Sequence, residues 1–348
     1  MKKLILITLA SIFTISCTKN LIPVETSGES TLTINLSGTS IDSKAVGSHG
    51  NQADDNYVNT LDIFVFNAAG ENAGELDAYK RFTASDGITN LQLKATTGNK
   101  KIYVIANSHR PDWKGINTLA AFQAVQTSLQ KDDVKNFIMT GNIDVTLQAT
   151  TSVNIPISRL TARVQLASIK TAFAGGPYAG LKLTNVKVFL LNVHGVKNLH
   201  DGNITTPVIL NSKVLNGTDV NGCTMLGMLY DAVTPAIDDT GYQTPHYFYA
   251  YENTLEAEAA DNRFTRLVIQ ADLNGKTYYY PVNINREGYG YVASNGHKGV
   301  KRNTAYEINV TIMRPGSTDP DKPIQYGTLN VSLNVQNWVI TPVANPEF

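Results

Sequence analysis

Short runs of alternating apolar and polar residues recur along this chain, separated by clusters of Gly, Asn, Ser and Pro. In the first run, Leu32, Ile34 and Leu36 fall on one face and Thr31, Thr33 and Asn35 on the other. This period of two is the signature of a half-buried strand. Further strand-like runs cover 57–66, 88–94, 101–106, 144–147 and 152–157. The run at 101–106 is apolar throughout and reads as a central strand. One stretch differs. Leu119, Phe122, Val125 and Leu129 recur at three and four residues, so an amphipathic helix is expected over 118–129, capped by Asn117. These elements predict a first β-rich domain with one helix laid against it.

A second β-rich domain follows. Runs at 158–166, 181–193, 245–251, 263–273, 276–284, 306–313 and 326–338 all read as strands. Asn274-Gly275 between two of them is a strong hairpin signal, because both turn positions favour positive φ. Residues 195–245 are rich in Gly, Asn, Asp and Thr and predict long loops. Pro315, Pro320 and Pro323 exclude 314–323 from any central strand. The final strand alternates through Leu329, Val331, Leu333 and Val335, reaches Trp338, and runs into an extended tail with Pro342 and Pro346.

The first residues are an export address. Lys2 and Lys3 precede an apolar run, Leu4 to Ile15, that ends beside Cys17. A bilayer span needs about 20 residues, so this shorter run fits the core of a signal peptide. Small residues leading to a single cysteine predict a lipoprotein signal, 1–16, with Cys17 as the lipidation site. Between the strand at 30–36 and the first domain lies 37–51, a small, polar, Gly- and Ser-rich stretch expected to be an exposed protease substrate. The chain therefore divides into signal peptide 1–16, propeptide 17–44 with a detachable strand carried by Leu32, Ile34 and Leu36, an N-terminal domain 45–157, and a C-terminal domain 158–348.

Composition removes several function classes. The 348 residues hold 29 Lys plus Arg and 29 Asp plus Glu, for no net charge. No basic stripe is present, which argues against a nucleic-acid partner. Cys17 and Cys223 are the two cysteines. With Cys17 lipidated, an exported chain has no disulfide and depends on core and sheet pairing, and Cys223 is expected to be a small buried residue. Zinc-protease, nucleophile-elbow, P-loop and dinucleotide motifs are all lacking, and the six histidines show no ligand spacing. Scattered surface histidines are expected, and no metal, cofactor or enzymatic activity. Asp54-Asp55 and Asp319-Pro320-Asp321 read as solvated loops rather than Ca²⁺ sites. Tyr278-Tyr279-Tyr280 and Tyr289-Gly290-Tyr291 read as cross-strand packing, with a sugar-stacking platform as the alternative.

Several stretches together carry a family resemblance. They are Ser43-Lys44-Ala45-Val46-Gly47, Leu61-Asp62-Ile63-Phe64-Val65-Phe66 and Arg159-Leu160-Thr161-Ala162-Arg163 in the first half. In the second half they are Gly275 to Val282, Val300 to Ile308, Ile312 to Ser317, Leu329-Asn330-Val331 and Asn337-Trp338-Val339. In this order, nearly end to end, they resemble the FimA-type fimbrillins, the major subunits of type V pili. The resemblance implies a mainly β fold of two β-sandwich, transthyretin-like domains with one short helix in the first. It implies a precursor that reaches the outer membrane as a lipoprotein and is cut after its first strand. A neighbour's C-terminal segment then fills the opened groove, here the stretch holding Val339, Ile340, Val343 and Phe348. The mature product would be an extracellular fimbrium. Its partners would be other copies, accessory pilus subunits, a processing protease, the outer membrane through lipid, and host or bacterial surface receptors. The family's cut follows Arg, but the first arginine of this chain is Arg81, and Lys44 with Ala45 occupies the matching place. An anchor or tip subunit of the same pilus, or a glycan-binding surface lipoprotein, are the alternatives.

Overall fold

A computed structural model describes residues 28–38, 53–173, 175–200, 209–211, 228–255, 263–322, 324, 327–338 and 343–344. The first unit runs β1 (Glu29–Gly38), β2 (Tyr57–Val58), β3 (Thr60–Asn67), β4 (Leu76–Thr83), β5 (Leu91–Thr96), β6 (Gly98–Ala106), α1 (Leu119–Gln123), β7 (Gln126–Ser128), β8 (Met139–Leu147) and β9 (Thr150–Arg159). Seven strands form one sheet in the order β4-β3-β6-β8-β9-β1-β5. The sheet coils until its two edges meet. There the Asp77 carboxylate on β4 accepts from the backbone N–H and the hydroxyl of Thr96 on β5, both at 2.8 Å. Side chains thus close the seam where no backbone ladder does, and cover two edges that would otherwise be open to pairing. The enclosed core includes Leu32, Ile34, Ile63, Val65, Ile102 and Ile155.

β3 is buried on both faces. Leu61, Ile63 and Val65 face the first core, while Phe64 and Phe66 face a second one beneath α1. Phe122 of the helix lies with its ring centroid 4.8 Å from Phe64, and Trp113 meets the same ring edge-on at 4.7 Å. Such tilted and edge-on pairs add to area burial.

The second unit runs β10 (Thr161–Thr171), β11 (Thr184–Leu191), β12 (Val193–His194), β13 (Val196–Asn198), β14 (Ile209–Leu210), β15 (Tyr230–Val233), β16 (His246–Tyr251), β17 (Arg266–Leu273), β18 (Lys276–Asn283), β19 (Thr304–Ile312), β20 (Leu329–Asn337) and β21 (Val343–Ala344). Sheets β16-β10-β19-β20 and β15-β11-β17-β18 pack face to face. Val164, Phe248 and Ile308 on one side meet Val188, Ile269 and Val282 on the other. The chain is mainly β, built as sandwiches. The β17–β18 hairpin turns through Asn274 at φ 50° and Gly275 at φ 77°, as a two-residue turn of this twist requires.

Three expectations need correction, and one strand was not foreseen. The helix stops at Gln123, and its cap is the Thr118 side chain, which accepts from the Ala121 N–H, rather than Asn117. Val125 and Leu129 reach the same core from non-helical backbone, because β7 pairs antiparallel with β13. A long-range ladder outweighs the small stability of one more helical turn. β4 escaped sequence reading because Asp77, Lys80 and Arg81 interrupt its alternation. Arg81 turns back across the strand pair to the fully buried carboxylate of Asp62 at 2.8 Å. The Gly- and Asn-rich segment 195–245 is not all loop, since β13, β14 and β15 form within it. Finally, Asp321 is paired with Arg266 and accepts from Asn192 at 3.1 Å, so the proline-rich segment is fastened rather than solvated. Ser317 extends that fastening by bonding the free edge of β18 at Tyr279.

Candidate assembly site

β1 lies between strands that are distant in sequence. Glu29–Ile34 face Thr96–Leu91 of β5 in antiparallel register, and Thr31–Gly38 face Thr150–Ile157 of β9 in parallel. Both edges of β1 are therefore hydrogen-bonded. Leu32 and Ile34 are fully buried and Leu36 nearly so, against Leu91, Leu93, Val153 and Ile155. At about 1.5–3 kcal/mol for each buried aliphatic side chain, these three stabilise the precursor by about 5–9 kcal/mol. That is comparable to the whole net stability of a typical domain, about 5–15 kcal/mol. The opposite face of β1 makes light contacts. Lys94 donates to Thr31 at 2.9 Å and pairs with exposed Glu29, whose carboxyl it holds below the usual range. Asn35 accepts from the Asn90 N–H at 2.8 Å. No charged group of β1 points into the core. Removing the strand would leave an apolar trench with one unpaired ladder on each side.

The two ends of the main body converge on one buried charged knot. Asp55, expected in a solvated loop, is 1% exposed. Its carboxylate accepts from Arg163 Nη1 and from the Trp338 indole N–H, each at 3.2 Å. Its backbone carbonyl accepts from Arg159 Nε at 3.0 Å and Nη2 at 2.8 Å. Arg159 is fully buried, stacks 4.1 Å from the Trp338 ring centroid, and donates to the Trp338 carbonyl at 3.2 Å. Burial pulls the Arg159 guanidinium down to about 9, against the opposing pull of Asp55. It stays cationic at neutral pH, so the knot is a charge-paired cluster rather than a neutral one. Arg302 closes it from the second unit, donating to the Arg159 and Ser158 carbonyls at 3.0 and 2.8 Å. A signal for this knot exists in the sequence. Arg159, Thr161 and Arg163 alternate with Leu160, Ala162 and Val164 in a strand-like run, and cations that become buried require an acid. Beside the knot, β2 pairs in parallel with β21, Tyr57 with Val343 and Val58 with Ala344.

The sequence-derived site residues distribute as follows. Leu32, Ile34 and Leu36 come together in β1, and Val343 lies in β21. Cys17, Lys44, Ala45, Val339, Ile340 and Phe348 fall outside the described residues, as do Cys223 and His49. The histidines inside are mostly not free surface groups. His246 is buried with Nδ1 2.6 Å from Asp231, and His297 Nε2 lies 2.7 Å from the Tyr306 hydroxyl. His194 Nδ1 contacts the Glu252 carbonyl at 2.8 Å. His297 also contacts the Asn295 carbonyl through Nδ1 at 2.9 Å, and His109 lies between Asp132 and Asn136, so these imidazoles are tied into local hydrogen bonding. Tyr280 is inside the second core, half-buried Tyr278 and Tyr289 pack against it, Tyr279 packs beside Phe189 and Val268, and Tyr291 lies half-buried outside the strands beneath Lys298. No described group of three or more His, Cys, Asp or Glu is placed to hold a metal.

Comparison with known proteins places this architecture. The sequence model described as "Major fimbrial subunit protein (FimA)" matches residues 30–212, and that of the "FimA4 pilin C-terminal domain" matches 250–338. The chain is 25% identical over 356 residues to the major fimbrium subunit FimC of Porphyromonas gingivalis, covering 97% of this chain and 70% of that one. It is also 25% identical to a FimA type-2 major fimbrium subunit of the same organism, covering 97% of each chain. Two solved structures share the fold. A putative cell adhesion protein from Parabacteroides distasonis superposes with a TM-score of 0.67 at 20% identity, covering 90% of this chain and 98% of that one. A fimbrilin from P. gingivalis W83 gives 0.64 at 20% identity, covering 89% and 98%. The first family model alone spans more than half of the sequence, across β1, the coiled sheet and the Arg159–Arg163 segment that anchors the knot. The chain therefore belongs to the FimA family of major fimbrial subunit proteins and is a structural subunit of an extracellular fimbrium.

Proposed function

We propose that this chain is the stalk-forming subunit of a type V pilus that polymerises by strand exchange. In this reading residues 1–16 direct export and Cys17 carries lipid to the outer membrane. A protease cuts between Lys44 and Ala45, and residues 17–44 leave with β1. The body then comprises an N-terminal domain, 45–157, and a C-terminal domain, 158–348. The segment with Val339, Ile340, Val343 and Phe348 from another copy fills the trench. Because that contact is head-to-tail and does not close on itself, it propagates into a filament.

The observation that carries the reading is the position of β1. It is hydrogen-bonded on both edges and buries Leu32, Ile34 and Leu36, yet it joins the body only through the small polar stretch 39–52. An incoming strand would restore ladder bonds and refill alternate pockets, which is strand addition to an open sheet. In the donor role Val343 exchanges its pairing with Tyr57 for the neighbour's trench.

N-terminal sequencing of protein recovered from fibres tests the cut. A start at Ala45 is expected, and a start at Cys17 in assembled fibres refutes the reading. Deleting 339–348 tests the donor. A folded, trimmed chain that forms no boiling-resistant ladder is expected, and normal fibres from it would refute the exchange.

A further inference from the structure

Among the described lysines, Lys100 is the one the fold buries, at 2% exposure. It stands at the start of β6, directly opposite Asn67 at the end of β3. Its Nζ lies 2.6 Å from Asn67 Oδ1, 2.6 Å from Thr96 Oγ1 and 3.0 Å from Asp77 Oδ2. The Asp77 carboxylate, itself 8% exposed, is fixed by the N–H and hydroxyl of Thr96. A buried primary amine, a buried carboxylate and a half-buried carboxamide thus meet on three neighbouring strands. The strand exchange proposed above draws on none of these three side chains.

We propose that Lys100 and Asn67 form an intramolecular isopeptide bond, with Asp77 carrying the protons. The Lys100 ammonium passes a proton to Asp77 along the existing contact. The neutral amine, desolvated and therefore a competent nucleophile, attacks Asn67 Cγ, the carbon bonded to the oxygen it already touches. Asp77 moves a further proton from the attacking nitrogen to the departing one, and the Asn67 nitrogen leaves. A new Nζ–Cγ bond replaces the Cγ–Nδ2 bond, and the ammonia departs with the remaining proton as ammonium. Asp77 ends as a carboxylate, and no oxidant, reductant or co-reactant is consumed. Held proximity replaces an external catalyst, since the reacting groups are fixed by the sheet register. Burial of Lys100 and Asp77 keeps water away from the amine and the proton carrier. The bond would tie β3 to β6 covalently beside the seam that side chains alone close between β4 and β5.

Peptide mass mapping of the purified full-length protein decides this. The expected result is a cross-linked species joining the peptides that hold Asn67 and Lys100, lighter than their sum by one ammonia. In Asn67→Ala and Lys100→Met both peptides run separately, and in Asp77→Asn the cross-linked fraction is lost. The parent map stands on its own even where a variant fails to fold. Separate peptides of full mass from the parent overturn the proposal and leave an ordinary buried ion pair. A cross-link that persists in Asp77→Asn overturns the role given to that carboxylate.

Discussion

Truncating Ile34 isolates the contribution of β1 to the uncut chain. Its side chain is fully buried between Leu91 on β5 and Val153 on β9. Ile34→Ala removes three carbons, about 2 kcal/mol of transfer free energy at ~0.8 kcal/mol per methylene. The cavity left in a coiled, hydrogen-bonded sheet cannot collapse fully, which brings the expected loss to about 2–5 kcal/mol. For a unit of this size each kcal/mol lowers the melting midpoint by about 2–4 °C. A loss near 3 kcal/mol therefore moves it by about 6–12 °C. The assay is thermal unfolding of the uncut chain by near-ultraviolet circular dichroism, with Thr33→Ala as the control. Thr33 points to the opposite, half-buried face and should cost within about 0.5 kcal/mol. A one-residue slip of β1 would exchange the two faces. Equal losses in the two variants, or a larger loss in Thr33→Ala, would refute the register and with it the trench.

Other outcomes follow from particular contacts. Asp55→Ala strips the acceptor from Arg163 and the Trp338 indole and leaves buried cations unmatched. It should cost about 3–5 kcal/mol in urea unfolding, and a loss below ~1 kcal/mol would show that the knot is hydrated. Gly316→Ala places a Cβ 2.3 Å from the Tyr279 carbonyl oxygen, so the proline-rich segment must lift from β18. An expected destabilisation of about 1–3 kcal/mol should appear with faster proteolysis at 314–322, and unchanged proteolysis would contradict the packing. His194 is held below its ordinary value, first by burial and further by Lys197, against the Glu252 carbonyl. The unfolded imidazole takes up its proton first, so stability falls as pH drops below about 6.5 towards the folded value. His194→Gln should flatten that part of the urea-midpoint profile, and parallel profiles for parent and variant would rule the effect out.

What was legible in the sequence is what a local period encodes. Leu32, Ile34 and Leu36 announce a strand with one apolar face, and Asn274-Gly275 announces a hairpin, because side-chain alternation and positive φ are properties of a few adjacent residues. The expectation of two β-rich halves rests on the same signals. Alternation says nothing about which strands will be neighbours. That β1 sits between β5 and β9, in one parallel and one antiparallel ladder, depends on pairings with residues up to 157 that only the coiled sheet brings together. Burial of charge is equally non-local. Asp55 in a polar stretch reads as solvated until Arg159, Arg163 and Trp338 close around it. Lys100, in the polar run Asn99-Lys100-Lys101, reads as a surface lysine until Asn67, Asp77 and Thr96 arrive from three other strands. The helical spacing of Leu119, Phe122, Val125 and Leu129 correctly marks a buried face, but the β7–β13 ladder decides how much of it is helix. Local chemistry fixes which side of each segment faces inward, and long-range pairing fixes what it meets there, since desolvated charges and open strand edges are stabilised only by partners the chain must fold to supply.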